Sequence, residues 1–188
     1  DGIRKYCIGA NGMVQDGPGM EEYSQHCQVF AVLTDTVAQE EGRRNLLTTI
    51  EEKGYPQCTV AMRFYLFRAL EKTDLYKYSE YYWDAWRKML ALHCTTSIES
   101  EHYARSECHA WGALALYELP AVILGVRPAE PGCKSLFISP KPGYMTYAKG
   151  TVITPVGEVQ VSWKKEQDNL NIEYKVPDGI VVKTEGII

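Results

Sequence analysis

The stretch AMRFYLFRAL, residues 61–70, is apolar on almost every side when it is placed on a helix. Such a helix has to pack on more than one face, because a surface helix keeps a polar face for water. The preceding segment, residues 39–53, is amphipathic instead, with Leu46, Leu47 and Ile50 inward and charged residues elsewhere. A half-exposed helix followed by a fully packed one predicts helical hairpins arranged in an outer and an inner layer.

Helical spacing of apolar residues extends over the first two thirds of the chain and predicts five helices. Their expected ranges are 21–38, 39–53, 59–72, 74–92 and 109–124. Residues 1–20 are rich in glycine and predict a loop. Pro120 cannot donate a helical hydrogen bond, so a kink or a break is expected in the fifth helix. Five helices are too few to close a ring of hairpins and indicate an arc of one.

Two of these helices have a predicted inner face that follows the helical repeat. The inward residues are expected to be Tyr23, Cys27, Phe30, Leu33 and Val37 in the first helix, and Tyr78, Tyr82, Trp86 and Leu90 in the fourth.

The pattern changes near Val126, after which apolar residues alternate with polar ones. The runs EVQVSW (158–163) and LNIEYKV (170–176) both alternate, and the polar turn KKEQDN between them predicts a hairpin. Further strands are expected at residues 135–139, 144–154 and 180–184. The fold class is therefore mainly α followed by β, with a helical part over residues 1–126 and a small antiparallel β domain over residues 127–188.

The composition is typical of a soluble globular protein, with 45% hydrophobic and 23% charged residues among 188. The net charge is −4 and the basic residues are scattered, which argues against nucleic acid or a membrane surface as a partner. Thirteen Tyr and four Trp suit both core packing and contact with sugars. Six cysteines at wide spacings leave the disulfide state and the compartment open. The first residues show no signal-peptide pattern.

The reactive side chains concentrate in HCTTSIESEHYARSECHAW, residues 93–111, which holds three His, three Glu and two Cys. Loops held by a rigid scaffold are where binding and catalysis concentrate. The pairs His93-Cys94 and Cys108-His109 raise a zinc site or a Cys–His nucleophile as alternatives. Their spacing matches neither a standard zinc pattern nor a catalytic cysteine signature, so no metal or cofactor is expected.

Several motifs in this stretch and on both sides of it follow a recognisable order. They are YSQHCQVFAVL (23–33), YLFRALEKTDLY (65–76), TTSIE (95–99), RSECHAW (105–111), LGVRP (124–128), PG (131–132) and Gly-Thr-x-x-Thr-Pro-x-Gly-x-x-x-Val-x-Trp (150–163). In this order they resemble the bacterial α-L-rhamnosidases of glycoside hydrolase family 78. The resemblance covers nearly the whole chain.

The resemblance implies a fold and a set of site residues. The helical part would be the end of a six-hairpin (α/α) toroid that forms the catalytic domain, and the β part would be a C-terminal β-sandwich. Glu99, the glutamate of the Thr-Thr-x-x-Glu motif, would be the general base of an inverting hydrolysis. His109 and Trp111 would lie at the sugar pocket, and Arg105 would contact the substrate.

An inverting glycosidase needs two carboxyl groups about 6.5–9.5 Å apart, one as acid and one as base. The acidic motif that supplies the acid in the family does not occur in this chain, so the chain is expected to be a fragment that is inactive by itself. Its expected partners are rhamnose-containing glycosides or polysaccharides and the missing N-terminal part of its own barrel. Self-association is also expected, because truncation would expose apolar helix faces.

Two other functions remain open on the residues alone. One is a non-catalytic carbohydrate-binding or interaction module that uses the aromatic residues and the β domain. The other is a related (α/α)-barrel hydrolase of a different sugar, since a fold by itself does not determine the substrate.

Overall fold

The computed structural model of the chain describes residues 1–101, 106–167 and 169–183. The chain divides into two compact units between Leu114 and Ala115. The first unit is helical, and the second begins with a short helical segment and continues as strands. The predicted order of helices followed by strands is therefore confirmed, whereas a domain boundary between residues 126 and 127 stays a prediction.

The first unit contains α-helices joined by irregular segments and 3-10 turns. The α-helices are α1 (Gly2–Tyr6), α2 (Gln25–Leu33), α3 (Gln39–Glu51), α4 (Arg63–Lys72) and α5 (Asp84–Ala91), and the 3-10 turns are Val60–Met62, Tyr76–Tyr82 and Ala110–Gly112. The helices expected at 39–53 and 59–72 are confirmed, the second with a 3-10 first turn. The loop expected over residues 1–20 is interrupted by α1. Within the described residues, no helix combines the length and the apolarity that a membrane crossing needs.

Helix α4 forms the centre of the first unit. No residue from 60 to 71 is exposed, which confirms that this helix packs on more than one face. Phe67 is fully buried, and its ring centroid lies 5.4 Å from that of Trp83 and 6.5 Å from that of Trp86. The rings of Tyr76 and Tyr82 complete this aromatic cluster, with centroids 6.2 and 6.4 Å from that of Phe67.

The inner face predicted for the first helix is wrong. Helix α2 buries Gln25, Gln28, Val29 and Val32, whereas Phe30 is 39% exposed. Both glutamines have hydrogen-bond partners in the interior, so their burial does not leave amide groups unsatisfied. The side chain of Gln28 accepts from the backbone N–H of Val14 at 3.0 Å and donates to the carbonyl of the same residue at 2.7 Å.

The single helix predicted over residues 74–92 is a 3-10 helix followed by α5. A 3-10 helix has three residues per turn, so its buried residues recur at steps of three, at Tyr76, Ser79 and Tyr82. The predicted step of four is therefore correct at Tyr82 and Trp86 but wrong at Leu90, which is 75% exposed.

The second unit begins with α6 (Ala115–Tyr117) and a π-type turn, Glu118–Ile123, that contains Pro120. The backbone N–H of Leu124 donates to the carbonyl of Leu119 at 2.9 Å, five residues earlier. Helical hydrogen bonding thus widens around Pro120 and does not break at that residue, and the segment is a chain of short turns from residue 110 onward and not one kinked helix.

The described strands form two three-stranded sheets, ordered β1-β2-β6 and β3-β4-β5. The strands are β1 (Val126–Pro128), β2 (Ser135–Ile138), β3 (Tyr147–Thr154), β4 (Gly157–Glu166), β5 (Asn169–Lys175) and β6 (Val181–Lys183). Residue 184, which the last predicted strand includes, lies outside the described residues.

The hairpin predicted from the two alternating runs is confirmed as β4 and β5, with Trp163 opposite Ile172. The inward residues of β4 are buried, and the indole N–H of Trp163 donates to the carbonyl of Ile123 at 2.7 Å. Strand β5 is an edge strand, and its Tyr174, which the alternation predicts to be inward, is 47% exposed.

The expectation of a purely antiparallel β domain is wrong in one respect. Strands β2 and β6 are parallel, with Leu136 opposite Val182. Parallel neighbours need a long crossover connection, and the β3-β4-β5 sheet lies between them in the sequence. Alternation indicates which residues form strands but not the direction of their pairing.

We expect Gly125→Ala to destabilise the second unit by about 3 kcal/mol or more, because a positive φ and a backbone clash add together. Gly125 has a φ of 74°, and a Cβ there would collide with the backbone of Ser139 and Pro140. Gly132 is the matched control, since its φ is 75° but a Cβ would meet nothing within 4 Å. Gly132→Ala should cost only about 1 kcal/mol. Urea unfolding of both variants measures the difference, and equal losses would contradict the clash.

Candidate active site

The segment that carries the reactive residues pairs with itself through its backbone. The N–H of Glu99 donates to the carbonyl of Ser106 at 3.0 Å, and the N–H of His109 donates to the carbonyl of Ser97 at 2.7 Å. The hydroxyl of Thr96 also donates to the carbonyl of Glu107. Residues 96–99 and 106–109 are therefore held side by side, which brings the TTSIE motif against the latter part of RSECHAW.

Gly112 holds this paired segment against the helices. A Cβ at Gly112 would lie 2.6 Å from the carbonyl oxygen of Ile98 and 2.9 Å from the Cβ of Ser97, so only glycine allows this approach. The carbonyl of Gly112 accepts from the indole N–H of Trp86 at 2.9 Å. The backbone N–H of Ala61 donates to the carbonyl of Glu99 at 3.2 Å. The paired segment is thus anchored to α5 and to the turn that precedes α4.

Three of the four predicted site residues lie in the described part of this segment. Glu99 and His109 are half-buried. The rings of His109 and Trp111 meet edge to face with centroids 6.2 Å apart, and Trp111 is 63% exposed. Arg105, the fourth, lies outside the described residues.

A buried cation beside the segment was not predicted from the sequence. Arg63, only 8% exposed, donates from Nη2 to Oε2 of Glu101 at 2.5 Å. Lys88 places its Nζ 3.8 Å from the other oxygen of the same carboxylate. The available signal was an arginine within the apolar run AMRFYLFRAL, because a charged residue in a buried helix needs a partner.

The guanidinium of Arg63 is held by the same side chains that form the aromatic cluster. Its Nη1 donates to the carbonyl of Tyr82 at 2.9 Å. Its central carbon lies 5.5 Å from the ring centroid of Tyr82 and 5.7 Å from that of Trp86, within the range of cation–π attraction. Burial raises the pKa of Tyr82 to about 12, and its hydroxyl oxygen accepts from the side-chain amide of Gln25 at 2.7 Å.

The cysteines of the segment are not joined to each other. All six cysteines of the chain are free thiols, and Cys94 and Cys108 are exposed. Among residues 1–101, 106–167 and 169–183, no cluster of three His, Cys, Asp or Glu side chains could hold a metal ion. The chemistry that the described segment offers is therefore that of carboxylates, an imidazole and an exposed indole. These groups suit proton transfer and contact with a sugar ring.

Comparisons with known proteins show what parts of the chain are similar to. Residues 125–183 match the sequence profile of the bacterial alpha-L-rhamnosidase C-terminal domain. The strand-rich end of the chain is therefore similar to that domain. The recognition of a C-terminal rhamnosidase segment is thereby confirmed.

The relatives of this chain include two proteins named alpha-L-rhamnosidase. The alpha-L-rhamnosidase of Alteromonas sp. (strain LOR) is 36% identical over 80 residues, which cover 42% of this chain and 8% of that protein. The alpha-L-rhamnosidase of Formosa agariphila (strain DSM 15362 / KCTC 12365 / LMG 23005 / KMM 3901 / M-2Alg 35-1) is 30% identical over 104 residues, 55% of this chain and 10% of that protein.

The similarity in structure extends over nearly the whole chain. The family 78 rhamnosidase of Bacillus sp. GL1 superposes with a TM-score of 0.80 and 26% identity, over 97% of this chain and 22% of that chain. The chain thus spans about a tenth of the length of the sequence relatives and about a fifth of the Bacillus chain.

We expect the thiols of this chain to differ sharply in reactivity. Burial raises the pKa of Cys58 from 9.0 to about 12, so its thiolate at pH 8 should be roughly 10³-fold scarcer than in the unfolded chain. With iodoacetamide at pH 8 and peptide mass spectrometry, Cys94 and Cys108 should be modified first and Cys58 should stay protected. Labelling in denaturant, where all six should react, is the control. Equal rates for Cys58 and Cys94 in the folded chain would contradict the burial of Cys58.

Proposed function

We propose that this chain is part of an inverting α-L-rhamnosidase that releases terminal α-L-rhamnose from glycosides, and that Glu99 is its general base. The observation that carries the proposal is the backbone pairing of residues 96–99 with 106–109. This pairing brings Glu99, His109 and Trp111 into one anchored segment. The enzymes similar to this chain bear the name alpha-L-rhamnosidase.

Each residue has a defined role in the proposed reaction. The carboxylate of Glu99 takes a proton from a water molecule, and the water oxygen attacks the anomeric carbon as the bond to the leaving oxygen breaks. The exposed indole of Trp111 offers an apolar face to the sugar, and the imidazole of His109 offers a hydrogen bond to a hydroxyl group. Arg105 keeps its proposed role in substrate binding, although it lies outside the described residues.

The reaction also needs a general acid that protonates the leaving oxygen. The acidic motif that supplies this acid in the family is absent from these 188 residues. We therefore assign the acid to another part of the enzyme, together with the remaining hairpins of an (α/α) toroid. In this proposal the helices of residues 1–126 form an arc of the toroid and residues 127–188 form a β-sandwich.

A second candidate function, carbohydrate binding by the β domain, is favoured by one surface. An open depression of about 520 Å³ lies over the β3-β4-β5 sheet, and Tyr147 beside it is 72% exposed. Titrating residues 115–188 with rhamnose would separate the two functions. Saturable binding there would support a binding module, whereas the catalytic proposal places the rhamnose pocket in the paired segment.

We expect Glu99→Gln in the full-length enzyme to lower kcat on an aryl rhamnoside by on the order of 10³-fold, because the amide cannot accept the proton from water. Rhamnose binding should change little, since the side chain keeps its shape. Glu99→Ala should regain turnover with azide, an anion that attacks without losing a proton. The product should then be a rhamnosyl azide of inverted configuration, visible by NMR. Near-normal turnover by Glu99→Gln would contradict the assignment.

We also expect the 188-residue chain alone to show no enzymatic hydrolysis of an aryl rhamnoside, because it lacks the acid. Release of the aryl group, followed by absorbance, measures this. Turnover by the chain alone that disappears with Glu99→Gln would contradict the assignment of the acid to another part of the enzyme.

A further inference from the structure

We infer that Glu101 and Arg63 form a positioning pair that holds residues 99–101, and that Glu101 is not itself the base. The inference rests on the proposed function, since it concerns the orientation of Glu99. Glu101 is the nearest carboxylate in the sequence to Glu99 and is therefore its natural competitor for the role of base.

Residues 61–63 hold residues 99–101 at two points that are in register. The N–H of Ala61 donates to the carbonyl of Glu99 at 3.2 Å, and the guanidinium of Arg63 reaches the carboxylate of Glu101 at 2.5 Å. A single hydrogen bond would leave the segment free to rotate about it, whereas two contacts two residues apart determine its orientation. A general base has to be held this way, because a displacement of about 1 Å lowers rates by about 10²-fold.

Arg63 can serve as an anchor because it is itself immobilised. It is 92% buried, stacked near two aromatic rings, and donates to the carbonyl of Tyr82 at 2.9 Å. An exposed ion pair loses side-chain entropy when it forms. Because the guanidinium of Arg63 is already fixed by its other contacts, its pairing with Glu101 costs less entropy. Burial also favours the conformation in which Glu101 binds Arg63, because Arg63 without a carboxylate would be an uncompensated buried charge.

The contacts of Glu101 are those of an anchor and not of a base. One of its oxygens accepts from Arg63 and the other lies 3.8 Å from Nζ of Lys88. The oxygen that binds Arg63 has fewer lone pairs open to a water molecule than an unpaired carboxylate oxygen has. The pair therefore keeps its carboxylate engaged throughout the reaction and leaves proton transfer to Glu99.

Glu101→Gln in the full-length enzyme tests the inference, because glutamine keeps the shape but loses the charge that Arg63 binds. We expect kcat to fall about 10- to 50-fold while KM changes less than about 3-fold, since the defect is in the alignment of the base. The matched control is Glu71→Gln, which weakens the half-buried Arg68–Glu71 pair of 2.6 Å within the same helix α4. This control should lower Tm comparably and leave kcat within about 2-fold.

Chemical rescue distinguishes a positioning defect from a lost base. Turnover by Arg63→Ala should rise at least 5-fold when guanidinium ion at a non-denaturing concentration fills the vacated site. Azide should rescue Glu99→Ala but not Glu101→Ala, because Glu101→Ala still has its base. If Arg63→Ala fails to fold, Arg63→Lys, which keeps the charge but not the paired donors, should show the same selective loss of kcat.

The outcomes separate this inference from the proposal on which it rests. Equal kcat for Glu101→Gln and Glu71→Gln would overturn the positioning role and leave Glu99 as the base. Rescue of Glu101→Ala by azide, with full turnover retained by Glu99→Gln, would overturn both and make Glu101 the base. A selective loss of kcat in Glu101→Gln with azide rescue confined to Glu99→Ala would support both.

Discussion

The burial of helix α4 is the constraint on which the candidate site depends. Phe67 lies at the centre of four aromatic rings, and two of these, Tyr82 and Trp86, also flank the guanidinium of Arg63. The core and the site therefore share side chains. Apolar packing is the dominant favourable term in folding, and here it also immobilises the guanidinium of Arg63, which binds the carboxylate of Glu101.

The segment itself has little regular structure, and backbone groups hold it in place. Hydrogen bonds between residues 96–99 and 106–109 join two motifs that the sequence separates. Gly112 lets the paired segment approach the helices, and the indole N–H of Trp86 secures the segment by donating to the carbonyl of Gly112. An irregular segment tied down at several backbone points combines exposed side chains with a defined geometry, which a binding or catalytic loop needs.

Patterns that depend on local chemistry predicted the architecture well. The two alternating runs form the β4–β5 hairpin, and the apolar run around Phe67 is the buried helix. The site residues proposed from the sequence, Glu99, His109 and Trp111, lie in or directly beside the paired segment, and their roles stay a prediction. The predictions were wrong where contacts with residues distant in the sequence decide which side chains are buried. Gln25 and Gln28 are buried because Cys58, Tyr82 and Val14 bond to their amides.

The sequence by itself determined the order of helices and strands, the irregular helical hydrogen bonding around Pro120 and the segment that holds the reactive residues. These features follow from side-chain periodicity and from the missing N–H of proline, which act over a few residues. Only the tertiary structure decided the parallel pairing of β2 with β6 and the ion pair between Arg63 and Glu101. Both interactions join residues that lie tens of positions apart in the sequence. Many other strands and charged residues could pair in each case, and the packing of the core decides which of them come together.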